Sequence, residues 1–231
     1  MKDVARHLII NADDFGSTEG INQGIADCHR AGVVTSTSLM VFGAAAQDAV
    51  THARELPNLS VGLHWVGDRP GAEVDTDDSD AVRDELGRQL ERFHNLLGRA
   101  PDHLDSHHHL HLEERLLPIF VDAGESLGIP VRGDGAVQYV GGFYAQWEWG
   151  VTELQHVSVR ALQSILRETV GEGWTEVACH PGYLTPDLHS IYASEREAEI
   201  RTLTDAEIRA TVDELGISLE SYARYLRCAQ R

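Results

Sequence analysis

The sequence predicts an α/β fold: a single-domain, irregular (β/α) barrel of the TIM type over residues 1–231, with parallel strands inside and helices outside. Short apolar runs alternate with amphipathic helical stretches along the whole chain, without internal repeats or low-complexity linkers. Polar or charged residues stand at the end of one run after another, where barrel active sites are built. An open doubly wound sheet is the alternative, and no Gly-rich dinucleotide fingerprint supports it.

The elements follow in order. His7-Leu8-Ile9-Ile10-Asn11-Ala12 reads as a buried strand ending in Asp13-Asp14-Phe15-Gly16. Two adjacent carboxylates at the end of a buried strand are costly unless something cationic meets them. An Asp cap on the next helix, which Gly16-Ser17 open and Gly32 closes, explains one of them but not both. Val33 to Val41, rich in β-branched and small residues, is a second strand. Ala44 to Glu55 is a helix ended by Leu56-Pro57, and Leu59 to His64 is a third strand that again delivers a histidine.

Trp65 to Asp80 reads as a Gly-, Pro- and Asp-rich loop whose acidic run is solvated surface. The helix from Ala81 to Leu97 carries Val82, Leu86, Leu90, Phe93 and Leu97 on one face. The next stretch, His103-Leu104-Asp105-Ser106-His107-His108-His109-Leu110-His111, alternates strictly. As a strand it puts Asp105, His107, His109 and His111 on one side. Histidine is the commonest metal ligand, and a neighbouring Asp can ligate or orient it. A purification tag would be terminal and continuous. A helix from Glu114 to Leu127 and a fifth strand, Gly128 to Arg132, come next. Gly133 to Gly150 reads as an aromatic, Gly-rich loop, with a helix from Val157 to Val170 after it. The strand Trp174 to Cys179 delivers His180-Pro181-Gly182-Tyr183. Helices at Ser194–Leu203 and Ala206–Leu215, a closing strand at Ile217-Ser218-Leu219 and a final helix from Glu220 complete the chain.

Composition narrows the partners. A net charge of −18 argues against nucleic acid or an anionic membrane surface, both of which need a basic patch. Three unpatterned cysteines, Cys28, Cys179 and Cys228, imply no disulfide framework. No apolar run is long enough for a membrane span, and Met1-Lys2-Asp3 is expected to lead straight into the first strand, so a cytoplasmic protein is expected. Homo-oligomerisation stays open.

The polar strand ends collect Asp13, Asp14, His64, His107, Arg132 and His180. One carboxylate and two imidazoles leave open positions on a divalent ion for water and substrate. A second carboxylate can take a proton from water, Arg132 can hold it ionised, and His180 can protonate a leaving group. Together these specify metal-assisted hydrolysis. A phosphoesterase on a similar barrel competes, but that class presents His-x-His on its first strand. A non-catalytic sugar-binding protein needs no such set, and a glycosidase needs two carboxylates on opposite sides of a bond.

Asn11-Ala12-Asp13-Asp14-Phe15-Gly16, Val34-Thr35-Ser36-Thr37-Ser38, Gly62-Leu63-His64, His103 to His109 and Cys179-His180-Pro181-Gly182 resemble the signatures of YdjC-type carbohydrate deacetylases. That family includes the chitooligosaccharide deacetylases. The resemblance implies an irregular (β/α) barrel, one divalent ion (Mg or Zn), and removal of an acetyl group from a small N-acetylated sugar. Carried over, it makes Asp14, His64 and His107 the ligands and Asp13 the base, with His109 a reserve ligand. The order of the two Asp roles follows a broader class of metal-dependent sugar deacetylases. After His64 the chain departs from the family: Trp65-Val66-Gly67-Asp68-Arg69-Pro70 replaces a longer, Leu-Thr-x-Gly-like continuation. The particular sugar is therefore open.

Overall fold

The first strand, β1 (Arg6–Phe15), is the centre of a parallel sheet. Leu8, Ile10 and Ala12 join the main hydrophobic cluster, while the opposite parity carries Asn11 and Asp13. Along the chain follow α1 (Glu19–Ala31), β2 (Ser36–Leu39), α2 (Ala46–Glu55), β3 (Ser60–Trp65), the hairpin strands β4 (Asp68–Arg69) and β5 (Ala72–Glu73), and α3 (Ser79–Leu97). Next are β6 (Leu104–Ser106), α4 (Leu117–Leu127), β7 (Gln138–Val140), α5 (Val159–Thr169) and β8 (Gly173–Cys179). The chain closes with α6 (Ser194–Leu203), α7 (Ala206–Glu214), β9 (Ile217–Leu219) and α8 (Tyr222–Ala229). This computed structural model describes residues 5–69 and 71–229; the expected lead-in from Met1-Lys2-Asp3 lies outside the described residues.

The sheet order is β6-β3-β2-β1-β8-β7, all parallel, with β9 pairing the N-terminal end of β1. β6 and β8 are four ladder steps apart, about 19 Å in a flat sheet. Yet both place a carboxylate on the Arg132 guanidinium, Asp105 at 2.9 Å and Glu176 at 2.7 Å. The sheet is therefore strongly curled. Its two ends, β6 and β7, share no ladder among the described residues. The result is a parallel-strand α/β fold curled part of the way round, rather than a ring closed by strand pairing.

Two departures from the sequence reading lie at that gap. The expected strand at residues 128–132 is reduced to one bridge, Val131 to Leu104. Gly128 and Gly133 bracket it at positive φ, and Pro130 has no N–H to give a ladder. The aromatic stretch read as loop contains β7, and the loop after His64 contains the β4–β5 hairpin. The first helix is capped by Thr18, whose Oγ1 accepts from the Ile21 amide, and not by an Asp. Asp205 caps α7, its side chain accepting from the Glu207 amide. The three cysteines are free.

The hydrophobic core lies between the sheet's outer face and the helices. Val61, Leu63, Trp65, Leu104, Val177 and Cys179 all join it. The inner face is polar: Asn11, Asp13, Ser36, Ser38, Ser60, His64, His103, Asp105 and Glu176 are all buried. The Tyr222 side chain on α8 stacks on His103, with centroids 4.0 Å apart, and its hydroxyl donates to Glu176 at 2.6 Å. Gly62 makes room for His103, since a Cβ there would sit 2.3 Å from the imidazole.

Gly62→Ala should accordingly cost about 1–3 kcal/mol through overpacking, read from urea unfolding. Combining it with His103→Ser should recover part of the loss. Additive losses in the double variant would mean that His103 is not what occupies the space.

Candidate active site

Adjacent residues on a strand point to opposite faces, so Asp13 and Asp14 could not both reach one site from a regular β1. The register against β2 shifts between Ala12 and Phe15, and Asp14 has φ 69°. This bulge inserts an extra residue and turns both carboxylates to the same mouth. Asp14 Oδ1 lies 3.4 Å from His64 Nε2 and 4.0 Å from His107 Nε2, while its Oδ2 accepts from Arg196 at 2.6 Å.

Asp13 sits beside them in a different environment. Arg132 donates to both of its oxygens, at 2.7 and 2.8 Å, and the Asn11 amide adds a bond to Oδ1 at 2.8 Å. Burial works to raise its pKa, but the Arg132 charge and hydrogen bonds outweigh it and hold the carboxyl below the usual range. His180 Nε2 is 3.9 Å from Asp13 Oδ2. Burial depresses the His180 pKa to about 4, so its ring is neutral near pH 7.

The histidine run behaves differently from the strand predicted for it. β6 stops at Ser106, and residues 107–112 form a 3₁₀ turn with His108 and His109 at φ 55° and 54°. Ser106 Oγ accepts from the His111 amide at 2.9 Å and so closes the turn. His107, His109 and His111 therefore do not share a strand face. His111 is buried against Ser106 and the Arg132 carbonyl, and His108 is exposed. His109 lies against the Tyr139 hydroxyl, 3.1 Å from Nε2, and is not among the nitrogens within 4 Å of Asp14.

His64 Nδ1 is 2.7 Å from Asp105 Oδ1, which turns Nε2 towards Asp14. Burial disfavours a charged imidazole, yet Asp105 and the other carboxylates raise the His64 pKa to about 10. The position thus favours positive charge at Nε2, the demand that a cation would meet. Donors sharing one ion at bonds near 2.1 Å lie roughly 3–3.6 Å apart. Asp14 Oδ1 stands 3.4 and 4.0 Å from the two Nε2 atoms, close to that spacing, and one carboxylate facing two imidazoles is a donor chemistry that suits a divalent ion. Among the described residues the trios whose donor atoms all lie within 4.8 Å of one another are Asp13–His64–Asp105 and Asp68–His107–His108, and Asp14–His64–His107 is not one of them. The first already encloses the Arg132 guanidinium, and the second lies further out.

Several buried partners escaped the sequence reading. In the sequence Asp105 stands out only as part of the histidine run, although it joins His64, Ser38 and Arg132. Glu176 is hidden in an ordinary-looking strand. Arg196 and Glu199 belong to a helix with few apolar residues yet much burial, and this mismatch was the available signal. Glu199 accepts from the His180 amide at 2.5 Å and from the Tyr192 hydroxyl. Burial raises its pKa to about 8.

The sequence profile of the YdjC-like protein family matches residues 7–214. A chitooligosaccharide deacetylase of Salmonella dublin is 34% identical over 91% of this chain and 96% of its own length. A putative cellobiose-phosphate cleavage protein of Enterococcus faecalis superposes with a TM-score of 0.83 at 26% identity, covering 95% of this chain and 98% of the other. A family 4 carbohydrate esterase of Streptomyces lividans shares the fold, with a TM-score of 0.54 at 12% identity and coverage of 92% and 91%.

Glu199 carries a pH test. Its folded pKa is raised, so between about 4.5 and about 8 the folded chain binds more protons than the unfolded chain. Stability contributed by this group falls as pH rises through that window. Glu199→Gln removes the term, so the variant should gain on the parent in melting temperature from pH 5 to pH 8. A difference that does not change with pH would show that Glu199 titrates normally.

Proposed function

Because the chain belongs to the YdjC-like family, we propose that it is a metal-dependent carbohydrate deacetylase, a single-domain hydrolase of the C–N bond in an N-acetylated sugar. The observation that carries this reading is the meeting of Asp14 Oδ1 with His64 Nε2 and His107 Nε2 beside an ionised Asp13. Asp14, His64 and His107 would hold Mg or Zn, on a barrel whose strand ends form the site. When bound, the ion supplies a Lewis acid that polarises the acetamide carbonyl and acidifies water.

The chain's own groups account for the proton traffic. Oδ1 of Asp13 has two donors and Oδ2 has one from Arg132, so Oδ2 keeps a lone pair for a proton taken from the attacking water. Arg132 keeps the base ionised at neutral pH. The hydroxyl adds to the acetyl carbon, and the C–N bond breaks to give acetate and an amine. His180 rests neutral, so the proton it gives the departing nitrogen arrives during turnover, and Asp13 Oδ2 stands 3.9 Å away as its source. General acid–base groups of this kind contribute ~10²–10⁴-fold each.

Substrate class follows from the surroundings. Tyr144 packs near His180 and edge-on to Trp147, which is 61% exposed; these rings can stack on a sugar. The arginines at the site are committed to carboxylates, Arg132 to three and Arg196 to Asp14. Arg69 is held by Glu85. That leaves little for a phosphate ester and favours a neutral chitooligosaccharide or N-acetylglucosamine derivative, acted on in the cytoplasm. Among the described residues no helix is long and apolar enough to cross a membrane.

Acetate release from mono-, di- and trisaccharides with added Mg, Zn, Mn or Co tests the reaction. Activity on phosphate esters alone would overturn it, and silence throughout would favour a sugar-binding role. Asp13→Asn should lower kcat by ~10²–10⁴-fold with metal still bound. Retention of most activity would move the base role elsewhere. His64→Ala should lose metal on dialysis, whereas metal content equal to the parent's would remove His64 from the ligand set.

A further inference from the structure

Arg196 is a buried cation of the site that neither the base nor the acid step uses. It stands in the first turn of α6, nearly enclosed, and its guanidinium is fastened at three points. Nε donates to the Tyr192 carbonyl at 3.0 Å, Nη1 to the His180 carbonyl at 3.3 Å, and Nη2 to Asp14 Oδ2 at 2.6 Å. A planar fork with donors in fixed directions suits such a task, which a flexible ammonium cannot reproduce.

Two consequences follow from those contacts. With Oδ2 engaged, Asp14 presents only Oδ1 to His64 and His107. The same guanidinium spans from Asp14 on β1 to the backbone of His180 beyond β8, and so sets the spacing between the two. The turn at His180 is itself pinned between helices: the Tyr183 amide donates to the Gly20 carbonyl at 3.0 Å, and a Cβ on Gly182 would meet Ile21 at 2.9 Å and Arg196 at 3.3 Å. Asp14 also has a left-handed backbone at φ 69°, a conformation that persists only when surrounding contacts over-determine it. The Arg196 bond is one such contact.

We propose that Arg196 is a positioning residue for the deacetylation site, holding Asp14 to one-oxygen ligation and fixing its distance from the His180 turn. The inference rests on the ligand set proposed above. It predicts that removing the fork loosens metal binding and slows the chemical step, with the substrate surface untouched. Partners that orient metal ligands typically contribute 10–100-fold to metal affinity or activity.

The test compares Arg196→Met, Arg196→Lys and His64→Ala with the parent. Zn affinity is measured by competition with a chromogenic chelator, kcat and KM are measured on a chitooligosaccharide, and melting is followed by circular dichroism. Arg196→Met should bind Zn about 10–100-fold more weakly and lose kcat with KM nearly unchanged. Arg196→Lys should regain part of the affinity, since charge remains, but little of kcat, since one ammonium cannot bridge Asp14 and two carbonyls. Where Arg196→Met fails to fold, Arg196→Lys carries the comparison. Parent-like affinity and kcat in a folded Arg196 variant, with binding impaired in His64→Ala, would overturn the role of Arg196 alone. Losses that merely track the unfolded fraction would also overturn it. Parent-like Zn affinity in His64→Ala would overturn the ligand set and, with it, the part given to Arg196.

Discussion

The Arg132 guanidinium, fully buried among Asp13, Asp105 and Glu176, is the contact on which the rest of this structure depends. Three carboxylates in the interior of a curled sheet would each be expensive to desolvate, and one arginine with its fork fully used makes them tolerable. Breaking a buried pair of this kind typically costs about 3–5 kcal/mol because it strands the partner charge. Arg132 also stands in the gap where the strand order ends. Its bonds to β6 on one side and β8 on the other link elements that no ladder joins. Architecture and chemistry thus share one side chain: the contact that draws the curl together also keeps the proposed base ionised.

The polar interior follows from that arrangement. Barrel interiors are usually filled by Val, Ile and Leu, whereas here Ser38, His103, Asp105, Glu176 and Tyr222 occupy the inside in a chain of hydrogen bonds and ring stacking. The hydrophobic stabilisation comes from the outer layer, where the sheet meets its helices. A polar network linked in this way is rigid because each member constrains its neighbours' rotamers and protons. That rigidity reaches the mouth: Ser38 and Arg132 hold Asp105, and Asp105 holds the His64 ring.

The two sides of the mouth are built differently. The β1, β3 and β6 ends are supported by this interior network. His107 and His180 sit on turns, the first on a 3₁₀ segment with two left-handed histidines and the second on a loop anchored by α6. The aromatic segment carrying Tyr144 and Trp147 overlies His180, and the β4–β5 hairpin carrying Asp68 approaches His107 at 3.6 Å. Loops over a rigid frame are where proteins sharing a fold can differ in what they bind while the groups held by the frame stay in place.

Alternation of apolar runs and helical stretches was enough to read the α/β class, the order of most elements and the end of the sheet that carries polar groups, because periodicity and capping are local properties. The local motifs also marked Asp13, Asp14, His64, Arg132 and His180 as neighbours in space, since consecutive parallel strands deliver their ends to one side. Local reading went wrong where long-range contacts override local preference. The parity of the histidine run promised one face for His107, His109 and His111, but Ser106 and the Arg132 carbonyl draw His111 inward and break the strand. The bulge that aims both aspartates the same way depends on the register with β2, which no residue of β1 announces. The same holds for Arg196, 182 positions from the carboxylate it grips: helix α6 could be read from the chain, but its partner is decided only when β1 and α6 pack against each other.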